Sequence, residues 1–249
     1  MSVTARGAWR GSARAAVVPS PNIWHWPDVY EVENRAQDVD GEVWRTLAAR
    51  CDWTGRDVVD VGCGDGFHLP RFATTARRVV GVEPHPPLVR RARRRITGLS
   101  TVEVTRGTAE RLPLPDASAD LVHARTAYFF GPGCDPGIDE ANRVLRPGGV
   151  LAVVDLDTTV APYGRWMLGD LPGYRSSEVD AFFTALGFAC DRVRTRWEFA
   201  DRAALEAVLR IEFSPKVAAA AIAETPGAAI EVGYRVLTRA RPDRLIVGR

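Results

Sequence analysis

Three glycines at alternate positions, Gly62, Gly64 and Gly66, interrupt the apolar run of residues 57–61 and give way to apolar residues at helical spacing. Glycine admits φ > 0 and lets a ligand approach main chain that a Cβ would shield. The amides of such a loop, with the N-terminus of the following helix, can face a bound molecule. The segment Gly62-Cys63-Gly64-Asp65-Gly66, preceded by Asp60, therefore reads as a strand–loop–helix cradle for a nucleoside-like cofactor. A second apolar run, residues 79–82, ends at Glu83 and Pro84, about twenty residues on, where a carboxylate can accept hydrogen bonds from both ribose hydroxyls.

The spacing weakens one reading of that cradle. A dinucleotide fingerprint, G-x-G-x-x-G, needs its third glycine at position 67, and this chain has Phe67 there. An acid ending the second strand serves nicotinamide enzymes too, so Glu83 speaks for a ribose and not for a particular cofactor.

The elements that must position these residues follow from periodicity. The chain has 249 residues, 46% hydrophobic and 26% charged, the profile of one globular α/β domain with some elaboration. Residues 1–20 read as a flexible leader. Residues 21–249 read as a single domain, with an N-terminal helical cap over about 21–54 and a C-terminal helical insertion over about 200–228. Strands at 58–61, 79–82, 101–105, 120–124 and 150–154 alternate with helices at about 66–76, 87–95 and from Asp135, with Asp135 as N-cap and Pro136 as first helical residue. That alternation implies right-handed crossovers and a mainly parallel sheet covered on both faces. Net charge is only +2, with Lys216 the sole lysine, so no overall basic field favours nucleic acid. The four cysteines form no CxxC pair, which suggests neither a metal site nor a disulfide framework. No apolar run approaches the roughly 20 residues of a membrane span, and a cytoplasmic location is the expectation.

Three segments carry a family resemblance. Asp60 with its three glycines, residues 106–116 (Arg-Gly-Thr-Ala-Glu-Arg-Leu-Pro-Leu-Pro-Asp) and residues 140–149 (Glu-Ala-Asn-Arg-Val-Leu-Arg-Pro-Gly-Gly) resemble the acidic-x-G-x-G-x-G, G-D-A-E-x-L-P and E-x-x-R-V-L-x-P-G-G motifs of class I S-adenosylmethionine-dependent methyltransferases. The resemblance spans roughly residues 55–157. It implies a Rossmann-like, seven-stranded, mostly parallel sheet with helices on both faces and an antiparallel last strand.

It also implies S-adenosyl-L-methionine as cofactor, with S-adenosyl-L-homocysteine as product. The cofactor's ammonium is expected at carbonyls of the glycine loop and Ala124, and its carboxylate at Arg35 with Tyr30 close by. The ribose is expected at Glu83 and Pro84, and the adenine at Thr108, Ala109 and Glu110. Thr108 stands where the family form has an acid, which leaves the adenine amino group to Thr108, Glu110 or water.

Alcohol and phenol acceptors benefit from a base, for which His25, His123, Asp155 and Asp157 are candidates. His123 also suits a packed core position inside its strand. Trp24, Tyr128, Phe129, Tyr163 and Trp166 are the aromatic residues expected to enclose an acceptor. The expected partner is a small-molecule methyl acceptor, with a homodimer compatible and neither nucleic acid nor membrane involved. The competing readings are an RNA or protein methyltransferase, resting on the arginines of residues 90–95, and a non-catalytic cofactor-binding module.

Overall fold

A computed structural model describes residues 20–241; the leader expected over residues 1–20 therefore falls almost wholly outside the described residues. Three helices come first: α1 (Pro21–His25), α2 (Pro27–Ala36) and α3 (Glu42–Arg50). Then follow β1 (Asp57–Val61), α4 (Leu69–Ala73), β2 (Arg78–Glu83), α5 (Pro86–Arg95), β3 (Val102–Arg106), β4 (Ala119–Arg125), α6 (Asp135–Val144) and β5 (Leu145–Leu156). The chain continues through α7 (Tyr163–Asp170), α8 (Ser176–Ala185), β6 (Ala189–Glu198), α9 (Arg202–Glu212), α10 (Pro215–Glu224) and β7 (Ala229–Ala240).

The seven strands form one sheet in the order β3-β2-β1-β4-β5-β7-β6. The first five pair in parallel, and β7 runs antiparallel between β5 and β6. The expected seven-stranded architecture is thus present, with its antiparallel element inserted inside the edge strand. The central strands β1 and β2 are apolar on both faces, because each face packs against its own cluster. Trp44, Phe72 and Leu121 lie in one cluster; Val80, Val122 and Phe183 lie in the other.

Sheet order reverses between β1 and β4, one strand leading outward through β2 and β3 and the other through β5. At such a point the strand ends diverge and leave a crevice at their carboxyl edge. Helix α9 packs against α2 and reaches the crevice with its last residue, Glu212, and α10 packs against α9. Both are capped by side chains: Asp201 accepts from the Ala204 amide at 2.8 Å and Ser214 from the Val217 amide at 3.4 Å.

Two helix starts differ from expectation. Helix α4 begins at Leu69 and not at Gly66, because the chain spends residues 62–68 on a loop whose three glycines all have φ between +58° and +81°. Helix α6 has Cys134 as N-cap and Asp135 as its first residue; the Asp135 carboxylate turns back to accept from the Gly133 amide at 3.2 Å.

Candidate active site

The glycine loop follows β1 and reaches one cavity at the carboxyl edge of the sheet, lined there by Gly62, Cys63, Gly64 and Asp65. At Gly62 (φ +71°) a Cβ would come within 2.6 Å of the Ala127 Cβ, so the loop can lie against the chain leaving β4 only as glycine. Gly66 differs: its Cβ would meet Ala92 of α5 at 3.1 Å, it does not line the cavity, and its role is close packing of loop on helix. Asp60 is buried below the loop and shares a 2.7 Å hydrogen bond with His123 Nδ1.

Glu83, at the end of β2, fastens this loop. Its Oε2 accepts from the Gly64 amide at 3.1 Å and its Oε1 from the His85 amide at 2.9 Å. Each oxygen keeps lone-pair capacity toward the cavity. Burial raises the carboxyl to about 7, against the two amide hydrogen bonds, which favour the ionised form. Burial also pushes the Cys63 thiol up and the imidazoles of His68 and His85 down.

After β3 the chain turns at Gly107, where a Cβ would meet Pro113 Cδ at 2.6 Å, and Thr108, Ala109 and Glu110 enter the cavity wall. This loop is held from behind. Glu140 accepts from the Leu112 amide at 2.8 Å, and Arg143 donates to Glu140 and to the carbonyls of Leu112 and Leu114 at 3.1 and 2.9 Å. The E-x-x-R pair thus holds the loop beside the crevice. Glu110 itself accepts from the Tyr128 hydroxyl at 2.9 Å.

At the other end lies Arg125, the last residue of β4 and 8% exposed. It donates to Gln37 Oε1 at 3.0 Å and sits over the rings of Tyr234 and Trp44. Its Nε is buried without a hydrogen-bond partner, and no carboxylate pairs with it among the described residues. Gln37 in turn donates to the buried Glu33 at 2.9 Å. A desolvated guanidinium with no carboxylate partner among the described residues suits an anionic ligand group.

Of the residues expected at the site, Trp24, Tyr30, Gly62, Cys63, Gly64, Asp65, Glu83, Pro84, Thr108, Ala109, Glu110 and Tyr128 line this cavity. Others do not, and the expectations for them are corrected. Arg35 projects to solvent on the far face of α2, paired with Glu31 at 2.6 Å; Arg125 occupies the place envisaged for it. Ala124 is fully buried, and the residues that follow it, 125–127, reach the cavity instead. His25 is exposed and edge-on to Trp26.

His123 is buried among Trp44, Phe72 and Asp60, a core position. Asp155 points to the opposite face of the sheet, where it meets the buried Arg235 at 3.0 Å, and Asp157 pairs with Arg192. Phe129, Tyr163 and Trp166 are core residues away from the cavity surface. Sequence reasoning missed Glu33, Gln37, Arg125, Glu212 and Tyr234, all of which line the cavity. Only Arg125 carried a signal, as the residue directly after a strand end expected on the ligand side.

The fold and the cavity resemble those of class I S-adenosylmethionine-dependent methyltransferases. Residues 59–153 match the family described as "Methyltransferase domain". A protein of Mycolicibacterium smegmatis named as a probable S-adenosylmethionine-dependent methyltransferase is 39% identical over 118 residues, 45% of this chain and 41% of that protein. A fatty-acid O-methyltransferase of the same organism is 32% identical over 116 residues, 46% of this chain and 42% of that protein. The chain thus spans less than half the length of these curated relatives. The crystal structure of a SAM-dependent methyltransferase from Aquifex aeolicus superposes with a TM-score of 0.53 at 18% identity, covering 84% of this chain and 98% of that one, a likeness of fold. Among the described residues no helix is long and apolar enough to cross a membrane.

Proposed function

We propose that this protein transfers a methyl group from S-adenosylmethionine to a small organic acceptor, leaving S-adenosylhomocysteine. One observation carries the reading: the Glu83-fastened glycine loop and the guanidinium of Arg125, which has no carboxylate partner among the described residues, face the same cavity, so a single ligand with a ribose at one end and a carboxylate at the other satisfies both. The sheet order supports the span. Two strand spacings separate the ends of β2 and β4, about 10 Å, which suits an extended nucleoside–amino acid conjugate.

Bound there, the donor supplies a methyl group already activated by a sulfonium leaving group. The protein's work is then alignment and exclusion of water. Glu83 accepts the ribose hydroxyls, the backbone of residues 108–110 borders the adenine, loop carbonyls near Gly62 receive the ammonium, and Arg125 with Gln37 takes the carboxylate. Helix α1 covers the crevice: Ile23 lies against Gly64 and Trp24 stacks on His85 at 4.5 Å. Trp24, Tyr30, Tyr128, Phe130, Leu156 and Tyr234 leave a largely apolar wall for a flat acceptor.

Calorimetric titration tests the reading. Micromolar binding of S-adenosylhomocysteine with none of NAD is the expected outcome, and the reverse would overturn it.

A further inference from the structure

The cavity divides between two halves of the sheet. Glu83 and residues 107–110 stand over β2 and β3, whereas Leu156 and Tyr234 stand over β5 and β7. With the donor spanning β3 to β4, as proposed above, the acceptor occupies the second half. Glu212, the last residue of α9, lines the cavity and bonds Tyr163, whose ring packs on Trp197 of β6 beside β7.

Glu212 is held by two neutral donors. Its Oε2 accepts from the Tyr163 hydroxyl at 3.0 Å and its Oε1 from Asn22 Nδ2 at 2.5 Å. Tyr163 is itself clamped between Trp197 and Phe213, with ring centroids 4.9 and 5.2 Å away, so the carboxylate has a fixed direction. No basic side chain pairs with it among the described residues.

Of the other cavity acids, Asp65 has a cationic partner, whereas Glu33, Glu83 and Glu110, which like Glu212 accept from neutral donors, stand on α2, β2 and the loop after β3, not on β5 or β7. Asp65 pairs with Arg95 at 2.7 Å, Glu83 holds two amides, Glu110 receives Tyr128 and Glu33 receives Gln37. Glu212 thus has no cationic partner among the described residues and a lone pair to spare on each oxygen. Such a wall repels a carboxylate acceptor and attracts a hydrogen-bond donor.

We propose that Glu212 is a catalytic residue that selects an acceptor whose nucleophile is a hydroxyl or amine and receives its proton. For a phenol, the oxygen–methyl bond forms as the methyl–sulfur bond breaks. That bond's electron pair stays on sulfur, which becomes the neutral thioether, and the phenolic proton passes to the Glu212 carboxylate. The proposal rests on the methyltransferase reading. It separates this chain from the fatty-acid specificity in the name of its relative, since an ionised carboxylic acid has no such proton and would meet like charge.

The full chain tests it with labelled S-adenosylmethionine and matched alkyl compounds ending in a phenol, a primary amine or a carboxylic acid. The expected result is label in the phenol or amine and none in the acid. Glu212→Gln should lose about 100- to 1,000-fold in kcat/KM, and Glu212→Asp should recover part of it. Calorimetry of the S-adenosylhomocysteine complex should show phenol affinity weakened about tenfold or more in Glu212→Gln.

S-adenosylhomocysteine affinity unchanged within twofold in that variant would show an intact donor site. Failure of the wild-type chain to bind S-adenosylhomocysteine would instead sink the methyltransferase reading itself. Label in the carboxylic acid, label in none of the hydroxyl or amine compounds, or full activity in Glu212→Gln would overturn the proposal.

Discussion

Donor affinity should depend on pH through Glu83, with a sign opposite to that of its effect on folding. Its carboxyl is raised from 4.5 to about 7 by burial, a penalty on the ionised form of about 3 kcal/mol. In the unliganded protein a raised pKa contributes stability that is fully present below pH 4.5 and is lost as pH rises through 7. Binding runs the other way, because ribose hydroxyls donate to the ionised carboxylate and favour it.

The ionised fraction grows from roughly a tenth at pH 6 to roughly nine-tenths at pH 8, so S-adenosylhomocysteine affinity should rise about tenfold over that range, with protons released on binding. The cavity histidines do not mask this, since burial pushes His68 and His85 below their ordinary range. Calorimetry at pH 6, 7 and 8, in buffers of different ionisation enthalpy, measures both quantities. Glu83→Gln should bind about 10- to 100-fold more weakly at pH 8 and show no pH dependence, because an amide can accept from only one of the Gly64 and His85 amides. A flat wild-type profile, or proton uptake on binding, would refute the assignment.

Arg125→Met should weaken S-adenosylhomocysteine by about 10- to 100-fold through loss of a charged hydrogen bond, while Arg35→Ala should leave it within twofold in the same titration. Gly62→Ala places a Cβ 2.6 Å from Ala127 at φ +71° and should cost on the order of 2 kcal/mol, read by urea denaturation, with binding lost as the loop shifts. Asp155→Asn strips a carboxylate from the buried Arg235 and should cost on the order of 3 kcal/mol. Its melting temperature falls while donor affinity holds, which separates this buried pair from the site.

The sequence by itself determined what depends on neighbours along the chain. The strand-and-helix alternation, the glycine loop, Glu83 at a strand end, the loop of residues 107–110 and the insertion helices were all legible, because periodicity and φ > 0 are local properties. Only the tertiary structure decided which side chains share a cavity.

Asp155 and Arg125 both sit near strand ends on the ligand side, yet one turns to Arg235 behind the sheet and the other into the crevice. Pleat phase and the packing on each face settle that choice, and a strand apolar on both faces does not reveal it. Arg35 and Gln37 are two residues apart around α2, and the surface the helix buries assigns one to water and the other to Arg125. Glu212, Asn22 and Tyr163 come from three distant segments. Their meeting depends on how α9 docks on α2 and brings its C-terminal end to Asn22 of α1 and Tyr163 of α7, contacts of long sequence separation for which local pattern holds no record.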